Sequence, residues 1–136
     1  MLMIIYNRLI PFGGFQAMAF WPFIFSKSRL MGDRRKNHER IHLRQQREVM
    51  LVSLIPMLVL CLTCLSWWWM AVVPFVYYLL YGIEYVIRLL VHGKKEAYRN
   101  ISFEQEAIIY ERDFYYLKER MRFAWVKYTG RKTYKA

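Results

Sequence analysis

The chain has 136 residues, 57% of them hydrophobic and 18% aromatic, with 21 Lys and Arg against 10 Asp and Glu. This length fits a single domain over residues 1–136, and two cysteines give no disulfide framework. We assign the net charge of +11 to membrane topology rather than to nucleic-acid binding, so no nucleic acid is expected as a partner.

Residues 1–30 are rich in aromatic and branched side chains and are punctuated by proline and glycine. Because Pro and Gly disfavour a continuous helix, we predict short strands here. The expected strands are residues 2–6, 15–20 and 23–26. The alternative is a segment, over about 9–25, that enters the membrane or its interface.

A polar, basic stretch follows, and a helix is predicted over 33–65 with Asp33 as its N-cap. Between Val49 and Val91, Glu84 and Arg88 are the only residues with a full charge. About 20 apolar residues cross the hydrocarbon core of a bilayer. This run therefore predicts two spans, from Val49 to the end of the first helix and over 72–91, in a transmembrane helical hairpin.

Positive charge flanks both outer ends of this hairpin, whereas the loop between the spans has none. The positive-inside rule then places both termini in the cytoplasm, with membrane lipids as partners. A third helix is predicted over 102–128, with Ser102 and Gln105 as a capping box, and its basic, aromatic tail suits an anionic leaflet. The predicted fold class is a mainly α membrane protein with a small N-terminal β hairpin or sheet.

The sequence His38-Glu39-Arg40-Ile41-His42 is an HExxH motif on the first predicted helix. Residues i and i+4 lie roughly 40° apart on a helix, so both imidazoles can reach one metal ion. Glu39 projects from the same side and can act as general base on a water that the metal activates. Two histidines and one carboxylate around an open position suit zinc best.

The third ligand is expected from Glu104 or Glu106, which lie roughly 200° apart on a helix and cannot both face one metal. We prefer Glu104, because Ala107 follows on its face and permits close approach to the first helix. Gln45 lies on the stripe of the two histidines and Gln46 on the side of Glu39. These two glutamines either support the site by hydrogen bonds or form an ordinary polar face.

The stretch HERIHLRQQ, from His38 to Gln46, resembles the HExxH region of gluzincin-type zinc metallopeptidases, which include membrane-embedded CaaX-processing and heat-shock-related proteases. The segment EQEA, from Glu104, resembles their downstream E-x-x-A-[DN] signature. The resemblance implies zinc on His38, His42 and Glu104, Glu39 as base, and residues 15–26 as a strand that pairs with an extended substrate.

One position departs from that family. Ile108 stands where the family keeps an Asp or Asn that orients a zinc-bound histidine. Glu111, Asp113 or a residue elsewhere would have to replace it, and the first two are candidates for this support of the site.

The phrases NHERIH, YGIEYVIRLL and AYRNISFE also resemble a group of short bacterial membrane proteins, a likeness that would cover nearly the whole chain. It implies the bacterial inner (cytoplasmic) membrane but brings no activity with it. The expected function is an integral membrane zinc metallopeptidase acting on a peptide or membrane protein near the cytoplasmic face. The alternative is a non-catalytic membrane scaffold or accessory subunit with a structural or vestigial zinc site. Membership of a larger membrane complex stays open.

Overall fold

The N-terminal region forms a small sheet in the computed structural model, which describes residues 3–11 and 14–131 of the chain. Strands β1 (Met3–Tyr6), β2 (Ala17–Phe20) and β3 (Phe23–Ser26) are ordered β1-β3-β2. Strand β3 pairs parallel with β1 and antiparallel with β2. The prediction of an N-terminal sheet is confirmed, and β2 is left as the edge strand on the side of the long first helix.

The sheet packs on that helix through small and branched side chains. Ala17, Ala19 and Ile24 form a buried cluster with Met31 and Leu43. Alternating residues of a strand point to one face, which explains why Ala17 and Ala19 are both buried. Two alanines on this face let the helix approach β2 closely.

Helix α1 (Asp33–Thr63) runs without interruption for 31 residues, close to the predicted range. The expected N-cap is wrong, because Gly32 occupies that position and its carbonyl accepts the Lys36 N–H at 3.0 Å. Asp33 lies inside the first turn, where its carboxylate is 3.1 Å from Lys36 Nζ.

The second apolar segment begins differently from the prediction. Residues Trp67–Phe75 form a 3₁₀ helix, and α2 covers Val76–His92. Pro74 lacks an N–H and disfavours α conformation in the residue before it, so the regular α-helix starts only after it. Helix α1 and the combined segment Trp67–His92 are both long and apolar enough to cross a membrane, by length and composition.

Both long helices expose apolar side chains. On α1 the exposure begins after Val49, and on α2 it forms a stripe along one face, whereas Tyr77 and Arg88 on the other face are buried. The exposed aliphatic residues of the two helices are Leu51, Val52, Leu54, Ile55, Leu58, Val59, Leu60, Leu62, Leu79, Leu80, Ile83, Val86, Ile87, Leu90 and Val91.

The helix predicted over 102–128 is wrong in its length. Short elements α3 (Lys94–Ala97) and a 3₁₀ turn (Tyr98–Asn100) lead into α4 (Ser102–Tyr110), and α5 (Tyr116–Glu119) and a 3₁₀ helix (Ala124–Tyr128) follow it. The carboxylate of Asp113 accepts the N–H groups of Tyr115 and Tyr116 at 3.0 and 3.1 Å. Asp competes with helical hydrogen bonding in this way, so the chain turns.

The turn folds the C-terminal segment back onto the core. The Trp125 ring lies 4.4 Å from the Phe103 ring, and Phe103 belongs to a buried cluster with Val49, Tyr77 and Ile101. This cluster fixes α4 between α1 and α2, which determines where the side chains of α4 meet α1.

The predicted capping box of α4 is also wrong. Ile101 occupies the N-cap position and offers no side-chain hydrogen bond. Ser102 instead donates to Glu84 of α2, and Gln105 Nε2 donates to the carbonyl of Asn100 at 2.8 Å. The cap of this helix therefore comes from a distant part of the sequence, which local patterns do not reveal.

Arg120 ties the C-terminal segment to both α1 and α4. Its guanidinium is fully buried between the carboxylates of Glu48 and Glu106, with hydrogen bonds to each. Loss of the cation would leave two buried carboxylates without a counter-charge, and an unpaired buried charge is strongly destabilising.

We predict that Arg120→Ala lowers the free energy of unfolding by about 3–5 kcal/mol. The matched control is Arg122→Ala, because Arg122 is exposed two residues away and exposed substitutions usually stay within about 0.5 kcal/mol. Thermal unfolding of the detergent-solubilised chain measures both. Equal midpoints for the two variants would contradict the buried role of Arg120.

Candidate metal site

The two histidines of the HExxH motif face each other across one turn of α1. His38 Nε2 and His42 Nε2 are 3.0 Å apart. Glu104 of α4 completes the group, with Oε1 at 3.2 Å from His42 Nε2 and Oε2 at 3.5 Å from His38 Nε2. Ligand bonds of about 2.0–2.2 Å at tetrahedral angles put donor atoms about 3.3–3.6 Å apart, and the three observed separations lie within this range or up to 0.3 Å below it. We call His38, His42 and Glu104 the metal group, because these three residues could hold a metal ion.

The structure brings Glu104, and not Glu106, to the histidines. Glu106 is fully buried on the other side of α4, where Arg120 and the Tyr116 hydroxyl (3.0 Å) donate to Oε1. The small Ala107 is also fully buried, and α4 packs on α1. This arrangement agrees with the reasoning that separated the two glutamates by their faces.

The outer ring nitrogens of both histidines have acceptors. His38 Nδ1 lies 3.2 Å from Glu111 Oε2, and His42 Nδ1 lies 2.9 Å from Gln45 Oε1. Because carboxylate and amide oxygens accept, each Nδ1 carries the hydrogen in the neutral ring. In that tautomer both Nε2 atoms face Glu104 with a free lone pair, which is the arrangement that ligation of one metal ion needs.

Glu104 is almost completely buried beside the two histidines. Its Oε1 accepts from the Tyr81 hydroxyl at 2.8 Å, whereas the buried Oε2 has no hydrogen-bond partner among the described residues. Burial opposes ionisation of Glu104, but His42 and His38 outweigh it and hold the pKa of Glu104 well below its usual range. A buried, ionised and partly unsatisfied oxygen beside two imidazoles is suited to a metal.

Glu39 lies buried beside this group in the polar half of α1, before the apolar run begins. The backbone of Ala19 in β2 faces this carboxylate and favours its ionised form. Burial raises the pKa of Glu39 above its usual value, although the neighbouring histidines act in the opposite direction. A carboxylate with a raised pKa is the better proton acceptor near neutral pH.

The other residues that the sequence suggested for the site differ in whether they contact the two histidines. Glu111 reaches His38 and is held by Arg34, which is the contact expected of a residue that replaces Ile108. Asp113 makes no side-chain contact with the site in the described residues, because its carboxylate caps the turn after α4. Gln45 contacts His42.

Gln46 instead makes hydrogen bonds to the backbone of β2 and of the turn that follows it. Its Nε2 donates to the Ala19 carbonyl at 2.9 Å, and its Oε1 accepts the Trp21 N–H at 2.8 Å. Through these two bonds Gln46 holds the edge strand β2 beside the metal group. Its contribution to the site is therefore the placement of β2 and not contact with a ligand.

A cavity of about 200 Å³ opens over the metal group, between β2 and α2. An adjoining cavity of about 800 Å³ shares Phe15, Ala17, His38, Glu39 and Tyr98 with it. The walls of the smaller cavity are mostly apolar and aromatic. Its lining comprises Phe15, Ala17, Met18, Ala19, His38, Glu39, His42, Gln46, Tyr77, Tyr78, Tyr81, Tyr98 and Glu104.

Two tyrosines of α2 belong to the site although the sequence did not single them out. The Tyr77 hydroxyl donates to Gln45 Oε1 at 3.1 Å and lies 3.1 Å from His42 Nδ1. Tyr81, one turn later, contacts Glu104. Their i, i+4 spacing in an otherwise apolar segment is the signal that could have identified them.

Comparisons with protein-family models, with curated proteins and with solved structures found no match. The site is therefore interpreted from its own chemistry.

We predict that the purified chain binds one zinc ion and that His38→Ala or His42→Ala abolishes this binding. His92→Ala is the matched control, because His92 is the one other histidine of the sequence and stands at the end of α2. Inductively coupled plasma mass spectrometry measures the zinc content of the wild type and of each variant. Full zinc content in His42→Ala would refute the site.

A second prediction concerns Glu111. Glu111→Gln should weaken zinc binding by about 10–100-fold, because groups that orient a ligating histidine have effects of this size. Asp113→Asn, which keeps the oxygen that caps the turn, should leave the zinc dissociation constant unchanged. Competition with a chromophoric chelator measures both constants, and equal weakening in the two variants would argue against orientation of His38 by Glu111.

Proposed function

We propose that this protein is an integral membrane zinc metallopeptidase that hydrolyses peptide bonds near the cytoplasmic membrane face. The observation that carries the proposal is the convergence of His38 Nε2, His42 Nε2 and the Glu104 carboxylate beside a buried Glu39, at the base of a cavity. Two histidines, one carboxylate and an open position are the ligand set of catalytic zinc in peptidases.

The residues of the chain then have separate tasks. His38, His42 and Glu104 would hold the ion, which when bound supplies a Lewis acid that activates water and polarises a carbonyl. Glu39 would take the proton of the attacking water and deliver it to the leaving amine.

Strand β2 is the element best suited to hold a peptide. Lys27 N–H donates to the Gln16 carbonyl at 3.1 Å, and antiparallel ladders alternate between bonded and non-bonded pairs. The N–H and C=O of Ala17 therefore point away from β3, toward the cavity that Ala17 lines. The outward carbonyl of Ala19 already accepts from Gln46 and Tyr78. An extended substrate would pair with Ala17.

The membrane assignment rests on the two long apolar helices and on charge. The exposed aliphatic residues of α1 and α2 require an apolar partner, and the bilayer provides one. Basic residues flank the outer ends of both helices, which favours cytoplasmic termini. The HExxH motif precedes the apolar half of α1, so the metal group would lie on the cytoplasmic side of the membrane.

The alternative is a non-catalytic membrane protein with a structural zinc site. The near-complete burial of Glu104 and His42 favours it, since structural sites are closed. His38, however, is only partly buried, and a cavity opens over the metal group. These two features favour a catalytic site instead. The two functions differ in whether the wild-type zinc protein turns over any peptide.

We predict that Glu39→Gln keeps its zinc but lowers peptide hydrolysis by about 10²–10⁴-fold, because Gln cannot accept the proton. The probe is a pool of fluorescence-quenched peptides with apolar and aromatic side chains, added to the zinc-loaded chain in detergent. Glu119→Gln, which neutralises an exposed carboxylate, should retain full activity. Zinc binding without turnover in the wild type would favour the structural alternative.

A further inference from the structure

Glu84 and Arg88 are the two charged residues inside the apolar segment of α2. Charged groups in a membrane-length helix are costly and are usually kept for a function. The simplest explanation is that they pair with each other, since Arg88 Nη2 lies 3.2 Å from Glu84 Oε1. Glu84, however, also contacts the helix that carries Glu104.

Glu84 caps the start of α4. Its Oε1 accepts the Ser102 N–H at 3.0 Å, and its Oε2 accepts the Ser102 hydroxyl at 2.6 Å. The first N–H groups of a helix have no partner within the helix, and Ile101 at the N-cap position offers none. A carboxylate is also favourable at the positive end of a helix. Helix α2 thus supplies the cap that the local sequence lacks.

Arg88 completes this connection from its buried position. Its Nη2 contacts Glu84, and its Nη1 donates to the carbonyl of Arg131 at 3.0 Å. The same carbonyl accepts from Gln105 Nε2 at 2.9 Å. Arg88 therefore balances the charge of Glu84 and joins the C-terminal segment to the first turn of α4.

Tyr81 adds a second point of contact between the same two helices. It lies three residues before Glu84 on α2 and donates to the carboxylate of Glu104. Helix α2 thus holds α4 by its backbone at Ser102 and by the side chain of Glu104, two residues later. Two contacts within one turn fix both the position and the rotation of the start of α4.

We propose that Glu84, supported by Arg88, is a positioning residue that holds the Glu104 carboxylate in register with His38 and His42. The inference rests on the proposed metal site, but its effect is on the backbone of α4. It assigns the charged pair in α2 a role in metal affinity rather than in membrane insertion alone.

The test compares three variants of the full chain in detergent. Glu84→Ala removes both acceptors and should weaken zinc binding by about 10–100-fold, the range seen when groups supporting a metal ligand are lost. Ser102→Ala removes the hydroxyl bond alone and should have a smaller effect, and Glu84→Gln, which keeps one oxygen acceptor, should fall between them. Glu119→Gln is the control for loss of a carboxylate elsewhere and should bind zinc as the wild type does.

Two measurements distinguish positioning from general destabilisation. Chelator competition gives the zinc dissociation constant, and the visible absorption of bound Co²⁺ reports the ligand geometry, which a purely structural role would leave unchanged. Hydrogen exchange of the Ser102–Glu106 amides in the metal-free protein reports the cap directly. We expect Glu84→Ala to alter the Co²⁺ spectrum and to accelerate this exchange.

Wild-type zinc affinity in a folded Glu84→Ala protein would overturn the proposal. If Glu84→Ala does not fold, equal zinc affinities for Ser102→Ala, Glu84→Gln and the wild type would overturn it. If the wild type binds no zinc, the proposed function fails, and the positioning of Glu104 as a metal ligand is overturned with it. Exchange at Ser102 then still reports whether Glu84 caps α4, so the two failures are distinguishable.

Discussion

The structure depends on one constraint, which is the burial of polar side chains on the first half of α1. Removing a polar group from water is costly unless a hydrogen bond or counter-charge replaces the water. Several of these buried groups take their partners from other elements, and these contacts tie the sheet, α4 and the C-terminal segment to α1. The buried polar residues of the first half of α1 are Asn37, Glu39, His42, Gln45, Gln46 and Glu48.

The partners come from every part of the described chain. Asn37 Nδ2 donates to the carbonyls of Tyr110, Glu111 and Asp113, which fixes the end of α4. Gln46 fixes the sheet, and Arg120 at Glu48 fixes the C-terminal segment. These contacts surround His38, His42 and Glu104, and support of the ligands to within a fraction of an ångström is what a metal site requires.

Sequence reasoning predicted the local features and missed those that depend on distant contacts. The strand over 23–26, the long first helix and the choice of Glu104 over Glu106 follow from breakers, hydrophobic runs and helical angles, which are local. The break after Tyr110 was missed because helical periodicity continues through it, and the chain turns there through hydrogen bonds that Asp113 accepts and that Asn37 donates. The contact of Glu84 with Ser102 could not be predicted, because the two residues are distant in sequence and meet only through the packing of α2 on α4.

X-ray absorption at the zinc edge tests the central claim most directly, since it measures the distances from the ion to its ligands in the intact protein. The account predicts two nitrogens at about 2.0–2.1 Å and oxygen at about 2.0–2.2 Å, with no sulfur. Cys61 and Cys64 are free thiols outside the group. A sulfur at about 2.3 Å, or a shell of oxygens without imidazole, would contradict a site built from His38, His42 and Glu104.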